Sequence, residues 1–429
     1  MRRGSFLLFL ALPAVAAGTA DLPPPLGQGL PEPVVPQTFG MQIKTVTPKD
    51  LDQIRDLGAK FVRRGFHWEG IEKEKGVYDF SGHDPVMKDI RDRGLRVLGV
   101  LAFGNRLYGP VRGDEGRDAF AKYAAAVAGH YRDDRVIWEV WNEPNTLTFW
   151  GRHGKKGNTP EYAAEYVALV KATVPEMRRA DPGCTVVAGS VSCLWSESYA
   201  WIDACFTGGI LRSGIDGWSV HPYSLRRPED YVEAYDKVRD LMAKHGAPRD
   251  FPLLNTERGF PTRKAEGFAG GDPRMMEEYQ AWHLVRQSLV DFSQGLRLSS
   301  WYEWKNSREG FGIFNDDVPS PAFRADRVMI GRLRGCRFRR REPAESAQDW
   351  VLSFDGPDGE LTFAAWTSPP PGESPDKAVP HEAAVKVGID GRVEGVQFTG
   401  ETSTLEARNG AVTVRLTGAP QYLVVRKRK

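Results

Sequence analysis

Short apolar and β-branched runs alternate with longer amphipathic segments between residues 39 and 335. The runs have the length of buried strands, and the intervening segments repeat apolar residues at helical spacing. Eight such strand–helix units are typical of a parallel (β/α)8 TIM barrel. A doubly wound open sheet is disfavoured, because no glycine-rich phosphate turn follows the first run. The predicted barrel strands are Phe39–Ile43, Phe61–Phe66, Val97–Phe103, Val136–Trp141, Thr185–Ala188, Gly217–His221, Leu253–Thr256 and Ser299–Trp304.

Between these strands the chain predicts amphipathic helices. They cover Pro48–Leu57, Pro85–Arg93, Gly116–His130, Thr159–Ala180, Pro228–His245 and Pro273–Phe292.

From Asp349 onward the helical period disappears, and short alternating runs are separated by Gly, Pro, Asp and Asn. This pattern predicts a small antiparallel β-sandwich domain over residues 336–429, after the barrel of residues 39–335. The basic runs Arg337–Arg341 and Arg426–Lys429 are interpreted as solvated charge. The predicted strands are Trp350–Phe354, Glu360–Trp366, Ala383–Val387, Gly395–Phe398, Ala411–Leu416 and Tyr422–Val425.

The first twenty residues have the layout of a secretory signal peptide. Arg2 and Arg3 precede the apolar run Phe6–Val15, and small residues follow it. A retained membrane anchor is the alternative, but the run is shorter than the ~20 residues that span a bilayer. The Pro-rich residues 21–38 predict a tether that is extended rather than packed on the barrel. We therefore expect a secreted or periplasmic protein with no membrane association after cleavage.

Charge and composition limit the kinds of binding partner that the sequence predicts. The 58 Lys and Arg nearly cancel the 56 Asp and Glu, so the overall charge gives no case for nucleic acid or an anionic membrane and fits a neutral or mixed glycan better. The eight histidines form no His-Glu-x-x-His pattern, so no metal and no cofactor are expected. Four cysteines follow no metal-ligand spacing. Cys193 and Cys205 could pair in an exported protein, and free buried thiols are the equal alternative.

Two predicted strands end in a glutamate. The fourth runs into Trp-Glu-Val-Trp-Asn-Glu-Pro-Asn at 138–145, and the seventh ends with Thr256 and Glu257. Active groups of such barrels lie where strands end, which brings Glu143 and Glu257 to one mouth from opposite sides. Hydrolysis of a glycosidic bond needs two carboxylates in this arrangement, one to protonate the leaving oxygen and one at the anomeric carbon.

Together these motifs resemble the retaining β-glycosidases of clan A, (β/α)8 enzymes with the acid/base on strand four and the nucleophile on strand seven. The 138–145 motif followed by Phe149-Trp150 carries most of the resemblance. Val62-Arg63 through Trp68, the stretch Gly76–Phe80 and His221-Pro222-Tyr223 add to it. A barrel followed by a β-sandwich is most similar to glycoside hydrolase family 39 and related secreted bacterial enzymes.

The resemblance implies a role for each matching residue. Glu143 matches the acid/base, which must carry a proton at rest, and Glu257 matches the nucleophile. Asn142 matches the residue that holds the sugar 2-hydroxyl. After the covalent glycosyl-enzyme forms, Glu143 would activate water.

Further residues are expected to support the nucleophile. Tyr223 and His221, from strand six, are placed to donate hydrogen bonds to Glu257, and Arg63, from strand two, adds positive charge. Core packing is the alternative for Tyr223, and pairing with Glu139 is the alternative for Arg63.

Aromatic residues at the strand ends are candidates for stacking on sugar rings. On strand eight, Trp304 is preferred for the pocket floor together with Tyr302 on the same face, whereas Trp301 is expected to pack against a helix. Glu303 is a less favoured nucleophile, because it lies on strand eight and the nucleophile is expected on strand seven. Outer subsites are predicted at Trp68 and Trp150, with core packing as the alternative.

Two stretches depart from the family pattern. Arg258 follows the nucleophile where an aromatic residue is more usual, and Phe103-Gly104-Asn105 replaces an acidic or tyrosyl stretch. Both bear on substrate recognition, so no sugar is assigned. Trp350 and Trp366 are the only Trp residues of the β domain, and a structural role is preferred for that domain over glycan binding.

The sequence thus predicts an exported retaining glycoside hydrolase that cleaves a β-linked oligo- or polysaccharide. A non-catalytic carbohydrate-binding protein on the same fold and a transglycosylase are the alternatives.

Overall fold

The computed structural model describes residues 29–151, 157–263, 272–305, 308–315 and 318–426. Eight parallel strands close into a barrel in sequence order, and β1 pairs with both β2 and β8. The predicted TIM barrel is confirmed. Its strands are β1 (Phe39–Gln42), β2 (Phe61–His67), β3 (Arg96–Ala102), β4 (Ile137–Val140), β5 (Thr185–Ser192), β6 (Gly217–His221), β7 (Leu253–Arg258) and β8 (Ser299–Trp301).

Helices cover the outside of the barrel. Several begin at a side-chain N-cap followed by proline, as at Thr47, Thr159, Asp272 and Ser320, where the cap satisfies a free backbone N–H. The α-helices are α1 (Pro48–Leu57), α2 (Trp68–Ile71), α3 (Asp84–Asp92), α4 (Asp114–His130), α5 (Pro160–Ala180), α6 (Ser196–Thr207), α7 (Tyr231–Lys244), α8 (Pro273–Ser293) and α9 (Pro321–Leu333).

Alternation along the strands builds the barrel interior in layers. Phe61, Ile137 and Leu254 belong to one buried apolar cluster at the amino-terminal end of the barrel. Two residues further along each strand, on the same face, stand Arg63, Glu139 and Thr256, all buried polar groups. The barrel therefore has an apolar base and a polar upper layer, and the upper layer carries the functional groups. The base consists of Phe61, Leu98, Ile137, Val187, Leu254 and Leu298.

The described part of the Pro-rich segment packs against the barrel, so the prediction of an unpacked tether is wrong for it. Val35 is buried and exchanges backbone hydrogen bonds with Gly335 and Cys336. Arg297 donates to the carbonyls of Leu30 and Pro31. Proline-rich backbone lacks N–H donors but keeps its carbonyls, and these accept from the arginine side chain at the barrel base.

Neither a membrane span nor a disulfide is found in the described chain. No helix of these residues has the length and apolar character to cross a membrane. All four cysteines are unpaired, so Cys193 and Cys205 follow the free-thiol alternative. The predicted signal peptide lies outside the described residues.

The C-terminal region forms the predicted antiparallel sheets. A six-stranded sheet in the order β11-β12-β13-β18-β15-β16 faces a two-stranded sheet of β14 and β17. The strands are β11 (Arg337–Arg341), β12 (Asp349–Asp355), β13 (Leu361–Thr367), β14 (His381–Lys386), β15 (Gly391–Val396), β16 (Thr402–Ala407), β17 (Ala411–Leu416) and β18 (Gln421–Val425). Two short strands, β9 (Phe314–Asn315) and β10 (Val318–Pro319), form a separate ribbon after the barrel.

The basic run Arg337–Arg341 is an edge strand rather than irregular chain. It pairs with β12, while its arginine side chains remain exposed. Charge in the solvent and ladder pairing are compatible at a sheet edge, where arginines also discourage further strand addition. The interpretation as solvated charge described the side chains and missed the strand.

The two Trp residues of the β domain attach it to the barrel. Trp350 and Trp366 are buried and stack with ring centroids 5.7 Å apart. The indole N–H of Trp366 donates to Glu229 over 2.7 Å, and Glu229 also forms a two-contact pair with Arg286 of α8. These residues are structural, as preferred from sequence, and neither indole is open to a glycan.

A buried carboxyl lies at the same interface. Asp326 of α9 is fully buried, and its oxygens have no hydrogen-bond partner within the described residues. Burial raises the pKa of Asp326 well above its ordinary value of 3.8. The folded state therefore binds this proton more tightly than the unfolded state does. The stability contributed by the neutral carboxyl is complete below about pH 4 and is lost as pH rises towards the folded-state pKa.

We expect Asp326→Asn to raise the free energy of unfolding at pH 7 relative to pH 4 by about 1–3 kcal/mol, because an amide does not ionise. Thermal or urea unfolding at both pH values measures this difference. Asp240→Asn, at an exposed position of α7, is the matched control and should show no such pH dependence. Equal pH dependence in both variants would contradict a buried neutral Asp326.

Candidate active site

The two predicted glutamates meet at the carboxyl-terminal mouth of the barrel. Glu143 follows β4, and Glu257 lies within β7. A carboxylate oxygen of each, together with a ring nitrogen of His221, falls in a group whose atoms all lie within 4.8 Å of one another. The side chains of Glu143 and Glu257 are only 12% and 13% exposed. This spacing fits the carboxyl separation of about 5–5.5 Å used by retaining glycosidases and falls below the 6.5–9.5 Å of inverting ones.

Glu257 accepts hydrogen bonds on both oxygens. The hydroxyl of Tyr223 donates to Oε1 over 2.9 Å, and the guanidinium of Arg63 contacts Oε2. Burial and the neighbouring Glu257 carboxylate raise the pKa of Tyr223 well above its ordinary value, so its hydroxyl remains a donor. The predicted contacts of Tyr223 and Arg63 with the nucleophile position are therefore present in the structure.

Arg63 connects the nucleophile position to the polar layer below it. Its guanidinium also donates to Glu139 (2.8 Å), Gln42 (2.9 Å) and Asn142 (2.8 Å). Burial opposes its charge, but Glu139 and Glu257 outweigh burial and raise the pKa of Arg63. Both contacts that the sequence analysis considered for Arg63, with Glu257 and with Glu139, are present. Arg63 supplies positive charge to Glu257 and pairs with Glu139, but it is 2% exposed and so positions the carboxylates rather than reaching a ligand.

Glu139 is an internal counter-charge. It is fully buried and accepts from Arg63 and from the hydroxyl of Ser219 over 2.7 Å. Burial alone would disfavour its ionised form, but Arg63 and His221 hold the pKa of Glu139 below its ordinary value. An ionised Glu139 keeps Arg63 in place beneath the two carboxylates.

Glu143 is held on a constrained turn. Its backbone has φ +47°, in the left-handed region, and its N–H donates to the Ser190 hydroxyl over 3.2 Å. Trp141 and Ser190 also have positive φ (68° and 42°). Non-glycine residues in this region cost of the order of 1–3 kcal/mol each and persist where the surrounding structure determines them. The strain is concentrated at the position that aims the Glu143 carboxyl into the mouth.

His221 contacts Glu143 rather than Glu257, which corrects the prediction made for it. Its Nδ1 lies 3.1 Å from Glu143 Oε1, and its Nε2 lies 3.1 Å from Thr256 Oγ1. It is completely buried. His221 is therefore a positioning residue for the acid/base position and not a direct substrate contact.

Three predicted sugar platforms are core residues instead. Trp68 is fully buried between Tyr108 and Tyr123, and Trp150 is 5% exposed and packs on Trp141. Trp304 is 1% exposed, stacks on Phe314 at 5.0 Å and donates to Asp50. In each case the faces of the indole are covered by protein. Trp301 packs beside His283 of α8, as expected.

Tyr302 occupies the place that sequence assigned to Trp304. It is half-buried, and its hydroxyl accepts from Lys44 over 2.6 Å. Its ring packs edge-on against Phe311, which packs in turn against Tyr223. Glu303, the alternative nucleophile, is buried in an ion pair with Lys44 at 3.1 Å. The sequence analysis placed Tyr302 on the face that points to the pocket, but it preferred Trp304 as the pocket floor.

The departures from the family pattern do not involve the predicted pair, Glu143 and Glu257. Arg258 is buried on the opposite face of β7, with its guanidinium 4.4 Å from the ring centre of Tyr231. Asn105 is buried and donates to the Glu72 carbonyl. Phe103 is half-buried at the mouth and stacks on Phe149 at 5.4 Å. Only Phe103 of these residues remains a candidate for substrate contact.

The Glu143, His221 and Glu257 group also meets a geometric condition for holding a metal ion. Both oxygens of Glu257 already accept from donors, and the Arg63 guanidinium at this carboxylate would repel a cation. Sequence spacing did not show the group, because its members come from three separate strands. The absence of a metal from the reaction stays a prediction.

Comparison with known proteins bears on the fold. A family model described as Cellulase (glycosyl hydrolase family 5) matches residues 30–230. A β-galactosidase from Arthrobacter sp is 21% identical over 388 residues, covering 69% of this chain and 54% of the relative. The chain therefore spans about half the length of this curated relative.

Solved structures match over both domains. A family 39 glycoside hydrolase from Bacteroides cellulosilyticus superposes with a TM-score of 0.74 at 22% identity, over 91% of this chain and 81% of that chain. A monomeric β-xylosidase from Caulobacter crescentus gives 0.62 at 16% identity, over 92% and 97%. A family 30 endoxylanase from Clostridium papyrosolvens gives 0.63 at 14%, over 94% and 98%. The resemblance to the clan A glycoside hydrolases that the strand-end motifs indicated is therefore confirmed.

Proposed function

We propose that this chain is a retaining glycoside hydrolase that cleaves β-glycosidic bonds by double displacement. The observation that carries the proposal is the pair Glu143 and Glu257, on strands four and seven, with carboxylate oxygens within 4.8 Å. At this distance one carboxylate can attack the anomeric carbon while the other serves the leaving oxygen, and the separation is shorter than the roughly 6.5–9.5 Å by which inverting enzymes admit a nucleophilic water beside the sugar.

Each residue has a distinct role in the two steps of the proposed reaction. Glu257 attacks the anomeric carbon, and Glu143 gives its proton to the glycosidic oxygen as that bond breaks. In the second step Glu143 takes a proton from water, the water oxygen bonds to the anomeric carbon, and Glu257 leaves. Tyr223 and Arg63 fix the Glu257 oxygens, and His221 and the strained turn fix Glu143. Asn142, half-buried beside them, is assigned to the sugar 2-hydroxyl.

The arrangement supports catalysis better than binding alone. A site built only to hold a sugar would not need an arginine and a tyrosine on one carboxylate and a histidine on the other. The relatives described as β-galactosidase, β-xylosidase and endoxylanase support a β-linked glycan as substrate. The basic–apolar–small pattern of residues 1–20 supports export, which N-terminal sequencing of the mature protein would test.

We expect the first product released from an aryl β-glycoside to be the β-anomer, which then mutarotates, because two inversions at one carbon retain configuration. Proton NMR during the first minutes of the reaction measures this. A panel of aryl β-galactosides, β-xylosides and β-glucosides identifies the sugar. Release of the α-anomer first would contradict the double displacement, and no turnover across aryl glycosides and polysaccharides would contradict hydrolysis.

A further inference from the structure

An open groove of about 710 Å³ lies beside the candidate active site and shares Tyr223 with it. Its volume falls within the ~300–1,000 Å³ range of small-molecule sites. Tyr223 lines the groove and also donates to Glu257, so the groove borders the candidate active site. Most of its wall is apolar, and its polar groups come from Ser224, Arg226 and Asp230. It is lined chiefly by Leu194, Trp195, Tyr223, Leu225, Arg226 and Tyr231.

Trp195 is the exposed indole of this protein. All twelve Trp residues fall in the described chain. Ten of them are buried and Trp282 is partly buried, whereas Trp195 is 64% exposed. A single exposed apolar side chain needs no explanation by itself. Trp195, however, lines a groove beside the candidate active site, and a flat aromatic face matches the C–H face of a pyranose ring.

The segment that carries Trp195 is fastened to the acid/base loop. The side chain of Asn145, two residues after Glu143, accepts from the Ser192 backbone N–H (2.9 Å) and donates to the Ser192 carbonyl (3.1 Å). Cys193 N–H donates to the His221 carbonyl over 2.9 Å. The acid/base protonates the leaving oxygen, so the leaving group lies on the Glu143 side. Trp195 lies three residues beyond Ser192, and this attachment to the Glu143 loop is the basis for assigning Trp195 to the leaving-group side.

The β domain fixes the opposite wall. Arg227 donates to the Ser368 hydroxyl (3.2 Å) and the Pro369 carbonyl (3.0 Å), and its Nε contacts Asp230 over 2.6 Å. Gly372 N–H donates to Asp230 over 3.4 Å. The loop that supplies Tyr223 to Arg226 is thus held by hydrogen bonds from the second domain.

We propose that this groove is an extended leaving-group subsite in which Trp195 stacks on a pyranose of a β-linked oligosaccharide. The inference rests on the proposed hydrolase function and narrows it to substrates with sugar units on the leaving-group side, rather than glycosides of small alcohols. The apolar wall receives the C–H faces of neutral sugars, and Arg226 and Ser224 remain for their hydroxyl groups.

Substitution of Trp195 tests the inference through a ratio of rates. The substrates are p-nitrophenyl β-xyloside, β-glucoside and β-galactoside and the β-1,4-linked oligosaccharides of the same sugars, two to five units long. We expect Trp195→Ala to lower the ratio of kcat/KM for the longest cleaved oligosaccharide to kcat/KM for the aryl glycoside about tenfold. Trp195→Phe, which keeps a flat ring, should lower it less than threefold. Val77→Ala removes an equally exposed apolar side chain that does not line the groove and should leave the ratio unchanged.

Binding gives a second readout that does not need turnover. In Glu143→Gln, xylo- and cello-oligosaccharides should change the intrinsic Trp fluorescence, and the change should be lost when Trp195→Phe is added. An unchanged ratio in Trp195→Ala, or aryl glycosides cleaved while every oligosaccharide is refused, would overturn the subsite and leave the hydrolase standing. A wild-type protein that cleaves neither class would overturn the proposed function itself.

Discussion

Glu257→Gln should lower kcat by roughly 10⁴–10⁶-fold on every glycoside that the protein hydrolyses. The amide keeps the volume of the side chain and can still accept from Tyr223, but it cannot attack the anomeric carbon. Loss of the nucleophile stops the first step for good and poor leaving groups alike. Steady-state rates on an aryl β-glycoside and on an oligosaccharide should therefore fall together.

Glu303→Gln is the matched control for this substitution. Glu303 is also a buried glutamate at the mouth, one strand later, but it is paired with Lys44. We expect its replacement to change kcat by less than about tenfold, the scale of a local electrostatic disturbance. Unfolding curves for both variants show whether either substitution disturbs the fold. The reverse pattern, with activity kept in Glu257→Gln and lost in Glu303→Gln, would move the nucleophile to strand eight.

The barrel could be predicted because buried parallel strands have a strong sequence signal. Each strand is an apolar run between helical segments, and all eight predicted runs overlap an observed strand. The edge strand of the C-terminal sheet has a weaker sequence signal. β11 is a run of arginines around one phenylalanine, so its pairing depends on a neighbouring strand rather than on its own pattern. The packed Pro-rich segment was missed for a similar reason, since its partners are arginines far away in sequence.

The meeting of Glu143 and Glu257 at one mouth could be predicted because the topology fixes where strand ends meet. Glu143, Glu257 and Arg63 needed only their strand numbers to be placed at one mouth. Predicting which aromatic residues face the pocket requires side-chain directions, which the sequence does not contain. β8 ends at Trp301, so alternation stops before Trp304, which turns into the core beneath Phe314. Trp195 stands in a loop outside any motif, and nothing in its neighbours distinguishes it from a core residue.

For His221, the strand assignment predicts the location of the side chain but not its hydrogen-bond partner. Its presence beside Glu143 and Glu257 followed from its place at the end of β6. Which carboxylate it would contact depended on the reach of the ring. Its Nδ1 faces the Glu143 side, and Tyr223, two residues further on, reaches Glu257 instead. Sequence correctly placed His221 and Tyr223 beside the two glutamates, but it predicted the partner of Tyr223 and not that of His221.

Glu143→Ala should separate good leaving groups from poor ones. Without the acid, kcat on an oligosaccharide should fall roughly 10²–10⁴-fold, because the departing alkoxide needs a proton. An aryl glycoside with an acidic phenol leaves without help, so its first step should be affected far less. The second step then becomes slow, since no base activates water. The variant should release a burst of phenol followed by a slow steady rate, which stopped-flow absorbance resolves.

Sodium azide completes the argument, because it needs no general base. With Glu143→Ala and an aryl β-glycoside, azide should accelerate the slow phase and give a β-glycosyl azide, the product of attack on a covalent α-linked intermediate. The loss of activity at high pH should also disappear on the aryl substrate, since the group that must hold a proton has been removed. An α-glycosyl azide would mean direct displacement by azide. Unchanged oligosaccharide hydrolysis would mean that another group donates the proton, and His221, 3.1 Å from the vacated carboxyl position, would be the first to test.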